Sequence, residues 1–204
     1  MSTRQHQFEQ ATALIDAANA EDPNQVSADG QTYPKELLYS RRMADMLERY
    51  RPEADNAMKL AVRAQHIQRW KSPRDAYPMN RQGYHKWRTE LYSFHAETAA
   101  ELLARAGCPE DVIERVRQAV GKRNPKTNPD TQLLEDVAAM VFIEHYMLDF
   151  ADRHPEYDEE KWLHIIRRTW NKMTGQGQEF ALSGALGLPE PLVPLITKAV
   201  GSQA

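Results

Sequence analysis

Helical periodicity dominates the hydrophobic pattern of this chain. Apolar residues recur every three or four positions, the spacing that gathers them on one face of a helix. The clearest stripe consists of Tyr39, Met43, Met46, Leu47 and Tyr50. Comparable stripes start at Phe8, Ala57, Trp87, Val112 and Trp162. No segment shows the two-residue period of a strand, so the pattern predicts an all-α protein.

The predicted organisation is a single-domain helical bundle of about seven to nine helices spanning residues 1–204. We expect a core over residues 35–153 and a C-terminal helical cap over 157–202. Residues 131–150 are apolar on most sides, which predicts the most buried helix. The third helix is predicted from Pro52 to about Lys71, with His66 in its last turns. Residues 21–34 are polar and rich in turn formers, so they are predicted as a loop.

Composition narrows the class of protein further. A single cysteine, Cys108, excludes an internal disulfide framework and a multi-cysteine zinc site, and it suits a reducing compartment. The N-terminus lacks the apolar core of a signal peptide, and no apolar run approaches the roughly 20 residues of a membrane span. We therefore expect a cytoplasmic protein without a membrane partner.

One basic and aromatic segment stands out from a chain of net charge −3. Residues 69–88, RWKSPRDAYPMNRQGYHKWR, hold six cations, one acid and four rings. Such a segment favours an anionic ligand, because guanidinium groups fork onto phosphate and rings stack on flat groups. An alternative is that the rings anchor a long loop and the charges form a solvated rim. The predicted substrate-binding residues are Arg69, Trp70, Arg74, Tyr84, His85, Lys86, Trp87 and Arg88.

Two histidines flank this segment, and three acids, Glu135, Asp136 and Glu144, lie on the most apolar helix. His66 and His95 fall on different predicted helices, as a metal site inside a helical bundle requires. Asp136 lies on the same helix face as Leu133, Met140 and Ile143, so its carboxylate cannot easily reach water and needs a cation, a metal or strong hydrogen bonds as a partner. The predicted catalytic set is His66, His95, Asp136 and Glu135, of which the first three would hold a metal. Alternatively, the acids pair with arginines or cap helices, and each histidine is hydrogen-bonded separately in the core.

Several segments resemble the DUF4202 family of uncharacterised proteins. They are AEDPN, PKELLYSRRM, LAVRAQHIQRWKSPRDAYPMNRQGYHKWR, FHAETAAELL and LEDVAAMVFIE, and together they cover most of residues 10–150. This resemblance implies no particular reaction.

A more distant resemblance is to HD-domain metal phosphohydrolases, which are helical proteins that hold divalent metals with histidines and aspartates. LAVRAQHIQRW is similar to the segment with the paired His-Asp, FHAETAAELLARAG to a later histidine helix, and LLEDVAAM to the final aspartate helix. The chain departs from that pattern at Ile67 and Ser40, where an aspartate and a histidine would be expected. Glu135 and His85 are the candidates to complete the ligand set.

The sequence leads to two main expectations for function. The first is a hydrolase that depends on divalent Mn, Fe, Co, Ni or Zn and acts on a phosphorylated small molecule or nucleotide. A metal-dependent oxygenase is a variation on it. The second is a non-catalytic module with a degenerate metal site that binds a metabolite or RNA. A third alternative is a homo-oligomer or partner complex formed through the apolar tail from Leu188 to Val200.

Overall fold

The structure, a computed structural model, describes residues 2–201. Over these residues it contains ten α-helices, three 3-10 helices and one two-stranded sheet. The all-α prediction is confirmed, with slightly more helices than expected. None of the helices in residues 2–201 combines the length and the apolar character that crossing a membrane would need.

The chain divides into two compact units, the first ending at Leu134 and the second starting at Glu135. The division falls inside a helix. The first unit contains α1 (Thr3–Ala20), β1 (Gln25–Ala28), β2 (Gln31–Pro34), α2 (Lys35–Tyr50), α3 (Asn56–Ala64), 3-10 helices at Arg69–Lys71 and Arg74–Ala76, α4 (Arg81–Arg105), α5 (Glu110–Val120) and the start of α6 (Pro129–His145).

The β1–β2 hairpin corrects the prediction that residues 21–34 are a loop without strands. Val26 pairs with Tyr33, and Asp29 and Gly30 turn the chain with positive φ angles of 51° and 75°. Two such residues in succession give the tight turn that suits the twist of a hairpin. The strands have only four residues each and are largely exposed, so their hydrophobic alternation was too short to detect.

Helix α3 forms the centre of the first unit. It packs against α1, α2 and α5, and its small residues Ala57, Ala61 and Ala64 are at most 3% exposed. Such residues let neighbouring helix backbones approach closely. Asp55 caps the helix by accepting a hydrogen bond from the backbone N–H of Met58 at 3.1 Å. The well-packed helix fixes the position of the segment that follows it, which contains His66.

The second unit contains the rest of α6, α7 (Met147–Asp152), α8 (Glu159–Trp170), α9 (Gly175–Leu182), a 3-10 helix at Glu190–Leu192 and α10 (Val193–Gly201). Helix α10 packs against α8, where Lys198 forms an ion pair with Glu159. The segment predicted as one helix over 131–150 is two helices, because the backbone breaks at Tyr146 between α6 and α7.

Candidate functional site

His66 lies in a turn just beyond α3 and not within a helix as predicted. Helix α3 ends at Ala64, and two residues after His66 the chain adopts a left-handed conformation at Gln68, with φ 49°. This conformation is strained for a residue with a side chain. The buried side chain of Asn19 supports it by accepting the backbone N–H of Gln68 at 3.1 Å. Helix α1 therefore helps to hold the turn that presents His66.

Three side chains fix the imidazole of His66. Tyr39 stacks on it with ring centroids 4.1 Å apart and an interplanar angle of 13°. Arg69 Nη1 lies 2.9 Å from His66 Nε2, and Glu36 Oε2 lies 3.6 Å from His66 Nδ1. Arginine can only donate, so Nε2 accepts and the proton of the neutral ring resides on Nδ1, facing Glu36. The His66 side chain keeps 24% of its surface exposed, so it remains accessible from solvent.

Glu36 is a buried carboxyl that the sequence analysis did not single out. It lies in the first turn of α2 and is 5% exposed. Its backbone N–H donates to Asp22 Oδ2 at 3.0 Å, which anchors the start of the helix. Burial raises the pKa of Glu36 from 4.5 to about 7, against the opposing charges of Arg69 and Lys35. A carboxyl that is half ionised near neutral pH can both donate and accept a proton.

His95 lies behind His66, with ring centroids 5.9 Å apart, and is 2% exposed. Its Nδ1 is 2.8 Å from the carbonyl oxygen of Ile67, so Nδ1 carries the proton and donates it. The other nitrogen, Nε2, is buried and has no hydrogen-bond partner in the part of the chain that the structure describes. Burial lowers the pKa of His95 to about 3, and the nearby His66 contributes. His95 is therefore a neutral imidazole with one unused lone pair.

Positive charge converges on His66 from four segments of the first unit. Burial lowers the pKa of His66 well below 6.5, and the surrounding cations lower it further. In decreasing order of effect they are Arg69, Lys122, Lys35 and Arg88. A partly accessible neutral ring surrounded by cations is an electrostatic environment that attracts an anion.

Much of the basic and aromatic segment stabilises its own loop. Trp87 is 8% exposed, and its Nε1 donates to the carbonyl oxygen of Ser72 at 2.9 Å. Arg74 donates to the carbonyl oxygens of Tyr77 at 3.1 Å and Pro78 at 2.8 Å. The Trp87 contact agrees with the alternative that the rings anchor the loop, whereas Arg74 anchors the loop too and is not part of a solvated rim. A guanidinium or indole group engaged with backbone carbonyls has fewer donors left for a ligand.

The remaining predicted binding residues occupy different settings. Arg88 donates to the hydroxyls of Tyr84, at 3.2 Å, and Tyr92, and it is the predicted binder besides Arg69 that influences His66. Lys86 forms an exposed pair with Glu90 at 3.8 Å. Tyr84 and His85 are exposed on α4, and Trp70 is half-buried in a 3-10 helix. Only Arg69 and Arg88 of the eight are thus tied by their charges to His66.

Asp136 has a capping role in the second unit. Its Oδ1 accepts the backbone N–H of Thr174 at 2.9 Å and its Oδ2 accepts the Thr174 hydroxyl at 2.5 Å, immediately before α9. The carboxylate also lies close to Gly177, where an added Cβ would be 3.0 Å from Oδ2. Glu135, next to it in sequence, is half-buried on α6. Within residues 2–201, no three His, Cys, Asp or Glu side chains are grouped so that they could hold a metal ion.

Sequence reasoning missed three charged groups near His66, namely Lys35, Glu36 and Lys122. A signal for Glu36 was present, because it shares a helix face with the buried residues Ser40 and Met43 at spacings of four and seven. A carboxylate in the first turn of a helix, however, is usually explained by the helix dipole. Lys122 follows α5 in a loop with left-handed backbone, and no local pattern indicates that it approaches His66.

Comparison with known proteins gives one match. Residues 9–196 fit the family model described as "Domain of unknown function (DUF4202)". The match covers most of the chain, so the protein belongs to this family. Neither the curated proteins nor the solved structures contain a significant match.

Proposed function

We propose that this member of the DUF4202 family is a hydrolase that acts on a phosphorylated small molecule, with His66 as its acid–base group. The observation that carries the proposal is the convergence of four cations on a partly accessible histidine that is backed by a buried carboxyl. Structural histidines rarely need either feature. Strongly perturbed ionisable groups gathered at one place are typical of functional sites.

The charges around His66 favour phosphate over a neutral substrate. Lys35, Arg69, Arg88 and Lys122 carry four positive charges. The acids nearby are Glu36, which is half ionised near neutral pH, and Asp22, which accepts the backbone N–H of Glu36. A phosphate group would offset this repulsion and accept charge-assisted hydrogen bonds from arginine. The same cations would stabilise the charge that develops on the phosphoryl oxygens during transfer.

Arg69 couples substrate binding to the release of a base. Without substrate its guanidinium donates to His66 Nε2 at 2.9 Å, which occupies the lone pair. When Arg69 turns to a bound phosphate, Nε2 becomes free to take a proton from water. The water oxygen then bonds to phosphorus as the bond to the leaving alcohol oxygen breaks, and the imidazolium returns its proton to that oxygen. The low pKa of His66 keeps the ring neutral until the negative charge of the substrate arrives.

Glu36 supports the proton transfer from the other side of the ring. Its Oε2 lies 3.6 Å from His66 Nδ1, and in its ionised form it would accept the Nδ1–H at a shorter distance and stabilise the imidazolium that forms. Such hydrogen bonds are often long before substrate binds and shorten in the complex. The stacking contact with Tyr39 fixes the orientation of the His66 ring between Glu36 and Arg69.

The donor atoms do not fit the metal predicted on His66, His95 and Asp136. His95 Nε2 is a suitable ligand atom, because it is unpartnered and its ring is oriented through Ile67. In contrast, Nε2 of His66 accepts from Arg69, and both carboxylate oxygens of Asp136 accept from Thr174. The proposed steps therefore use side chains alone.

The test is phosphate release from a panel of phosphorylated compounds, comprising sugar phosphates, nucleoside mono-, di- and triphosphates and p-nitrophenyl phosphate. We expect His66→Asn and Glu36→Gln to reduce kcat by about 100-fold or more, the usual contribution of an acid–base group. The matched control is His164→Asn, at an exposed histidine on α8. Full activity of His66→Asn on the preferred substrate would refute the assignment.

A second candidate is a non-catalytic module that binds an anionic metabolite or RNA. The observation that favours it is that no three metal-ligating side chains come together within residues 2–201, as in a degenerate metal site. This candidate expects inorganic phosphate or a short RNA to raise the melting temperature without any turnover. A salt-sensitive shift with RNA but none with mononucleotides would select RNA as the ligand.

A further inference from the structure

A separate cleft of about 390 Å³ opens in the first unit, at the N-terminal ends of α1, α3 and α5. Its size falls within the range of about 300–1,000 Å³ that small-molecule pockets occupy. None of the residues in contact with His66 lines it. A ligand in this cleft would therefore differ from the proposed phosphorylated substrate.

The apolar part of the cleft comes from three helices. Phe8 of α1 and Val112 of α5 are half-buried, and Leu60 of α3 is 1% exposed. An aliphatic group of a few carbons that covers Phe8 and Val112 would remove apolar surface from water on both partners, while Leu60 forms the already buried floor. The cleft thus suits a ligand with a compact hydrophobic body.

The charged part of the lining is balanced. Arg115 donates to Asp55 at 2.7 Å and to Asp130 at 2.8 Å, so its charge is already offset. Hydrogen bonds from Arg115 and from the backbone of Met58 lower the pKa of Asp55 in spite of its partial burial, which keeps it ionised. The paired Asp55 and Arg115 form part of the cleft wall. Two other charged side chains of the lining are left to bind a ligand.

Those two charges have opposite signs and no ion-pair partner among residues 2–201. Arg4 lies in the first turns of α1, and Asp111 lies in the first turn of α5. Both side chains are exposed, so both are accessible to a ligand in the cleft. A ligand with one negative and one positive group would pair with both, whereas a simple anion or cation would meet one like charge.

We infer that this cleft binds a free α-amino acid with an aliphatic side chain. The carboxylate pairs with the guanidinium of Arg4, which presents a planar fork suited to it. The ammonium group pairs with Asp111. The aliphatic side chain packs on Phe8, Leu60 and Val112.

The inference can be tested by isothermal titration calorimetry of the full chain with L-leucine, L-isoleucine, L-valine and L-methionine. At least one of them should bind. Two analogues of leucine, 4-methylpentanoate without the ammonium group and 3-methylbutylamine without the carboxylate, each lack one charge and should bind at least about tenfold more weakly, the size expected for a lost charge-assisted hydrogen bond.

Two variants and two matched controls locate the site. Arg4→Gln and Asp111→Asn should each weaken binding by at least about tenfold. Arg105→Gln and Glu110→Gln remove exposed charges outside the cleft and should leave affinity unchanged. The inference is overturned if none of the four amino acids binds, if 4-methylpentanoate binds as tightly as leucine, or if the controls weaken binding as much as the cleft variants.

Discussion

Replacing Glu36 with glutamine should make the protein more stable above neutral pH, although it removes a proposed functional group. The pKa of Glu36 is about 7 in the folded chain and 4.5 in its usual range. Below about pH 4.5 the carboxyl is protonated in both states. Between 4.5 and 7 the unfolded chain loses the proton first, so folding stability falls as pH rises. The difference of about 2.5 pH units corresponds to about 3 kcal/mol.

The assay is urea unfolding of the wild type and Glu36→Gln at intervals from pH 4 to 9. Glutamine resembles the neutral carboxyl, so the difference in unfolding free energy between the two proteins should be constant below pH 4.5. It should then shift by about 3 kcal/mol in favour of the variant up to pH 7 and stay level above that. The variant should therefore be more stable than the wild type at pH 7 and above but less active in phosphate release, as expected for a residue kept for function.

Glu101→Gln is the matched control, because Glu101 is exposed on the same unit. It gives the background against which the Glu36→Gln shift is measured. If the Glu36→Gln difference in unfolding free energy did not change between pH 4.5 and 7, the role of Glu36 beside His66 would have to be abandoned. An intermediate shift would measure how far its neighbours offset the effect of burial.

Three further perturbations test other parts of the structure. The buried neutral His95 has a pKa of about 3 in place of 6.5, so it contributes about 5 kcal/mol of folding stability that is present above pH 6.5 and lost toward pH 3. His95→Gln should therefore lose less stability than the wild type on acidification. Equal changes in the urea midpoints of the two proteins from pH 7 to 4 would contradict this. Asp136→Asn should lower the unfolding free energy by about 1–3 kcal/mol, because it weakens the cap at Thr174, while the activity per folded molecule persists. A loss of activity without a loss of stability would instead favour the metal hypothesis. Gly83→Ala should lower the unfolding free energy by about 1–3 kcal/mol, because the new Cβ would lie 2.1 Å from the carbonyl oxygen of Pro78. An unchanged melting temperature would show that the loop moves aside without cost.

The all-α architecture could be predicted because helical periodicity extends over many residues. In the stripe from Tyr39 to Tyr50 an apolar residue recurs in every turn, and α2 indeed ends at Tyr50. The hairpin could not be recognised in the same way, because each strand supplies only four residues. The break at Tyr146 was missed because apolar side chains continue on both sides of it.

The candidate site was predicted only where chemistry and sequence position coincide. His66 and His95 flank an unusual charged segment, and the structure brings their rings to 5.9 Å. Glu36 and Lys122 reach the same place through the packing of α2 and through a loop after α5, which are long-range contacts that no local pattern encodes. Trp87 illustrates the opposite case, since a residue suited to ligand stacking is used to anchor a loop.

The contact between His95 and the carbonyl of Ile67 makes the chemistry of the site dependent on complete folding. Ile67 follows His66 directly, so the turn that presents one histidine also sets the proton position of the other. The same turn is supported at Gln68 by Asn19, which lies 49 positions earlier in the chain. A chain in which α1 is not docked would lack this support at Gln68. The geometry of both histidines therefore depends on a contact between segments that are far apart in the sequence.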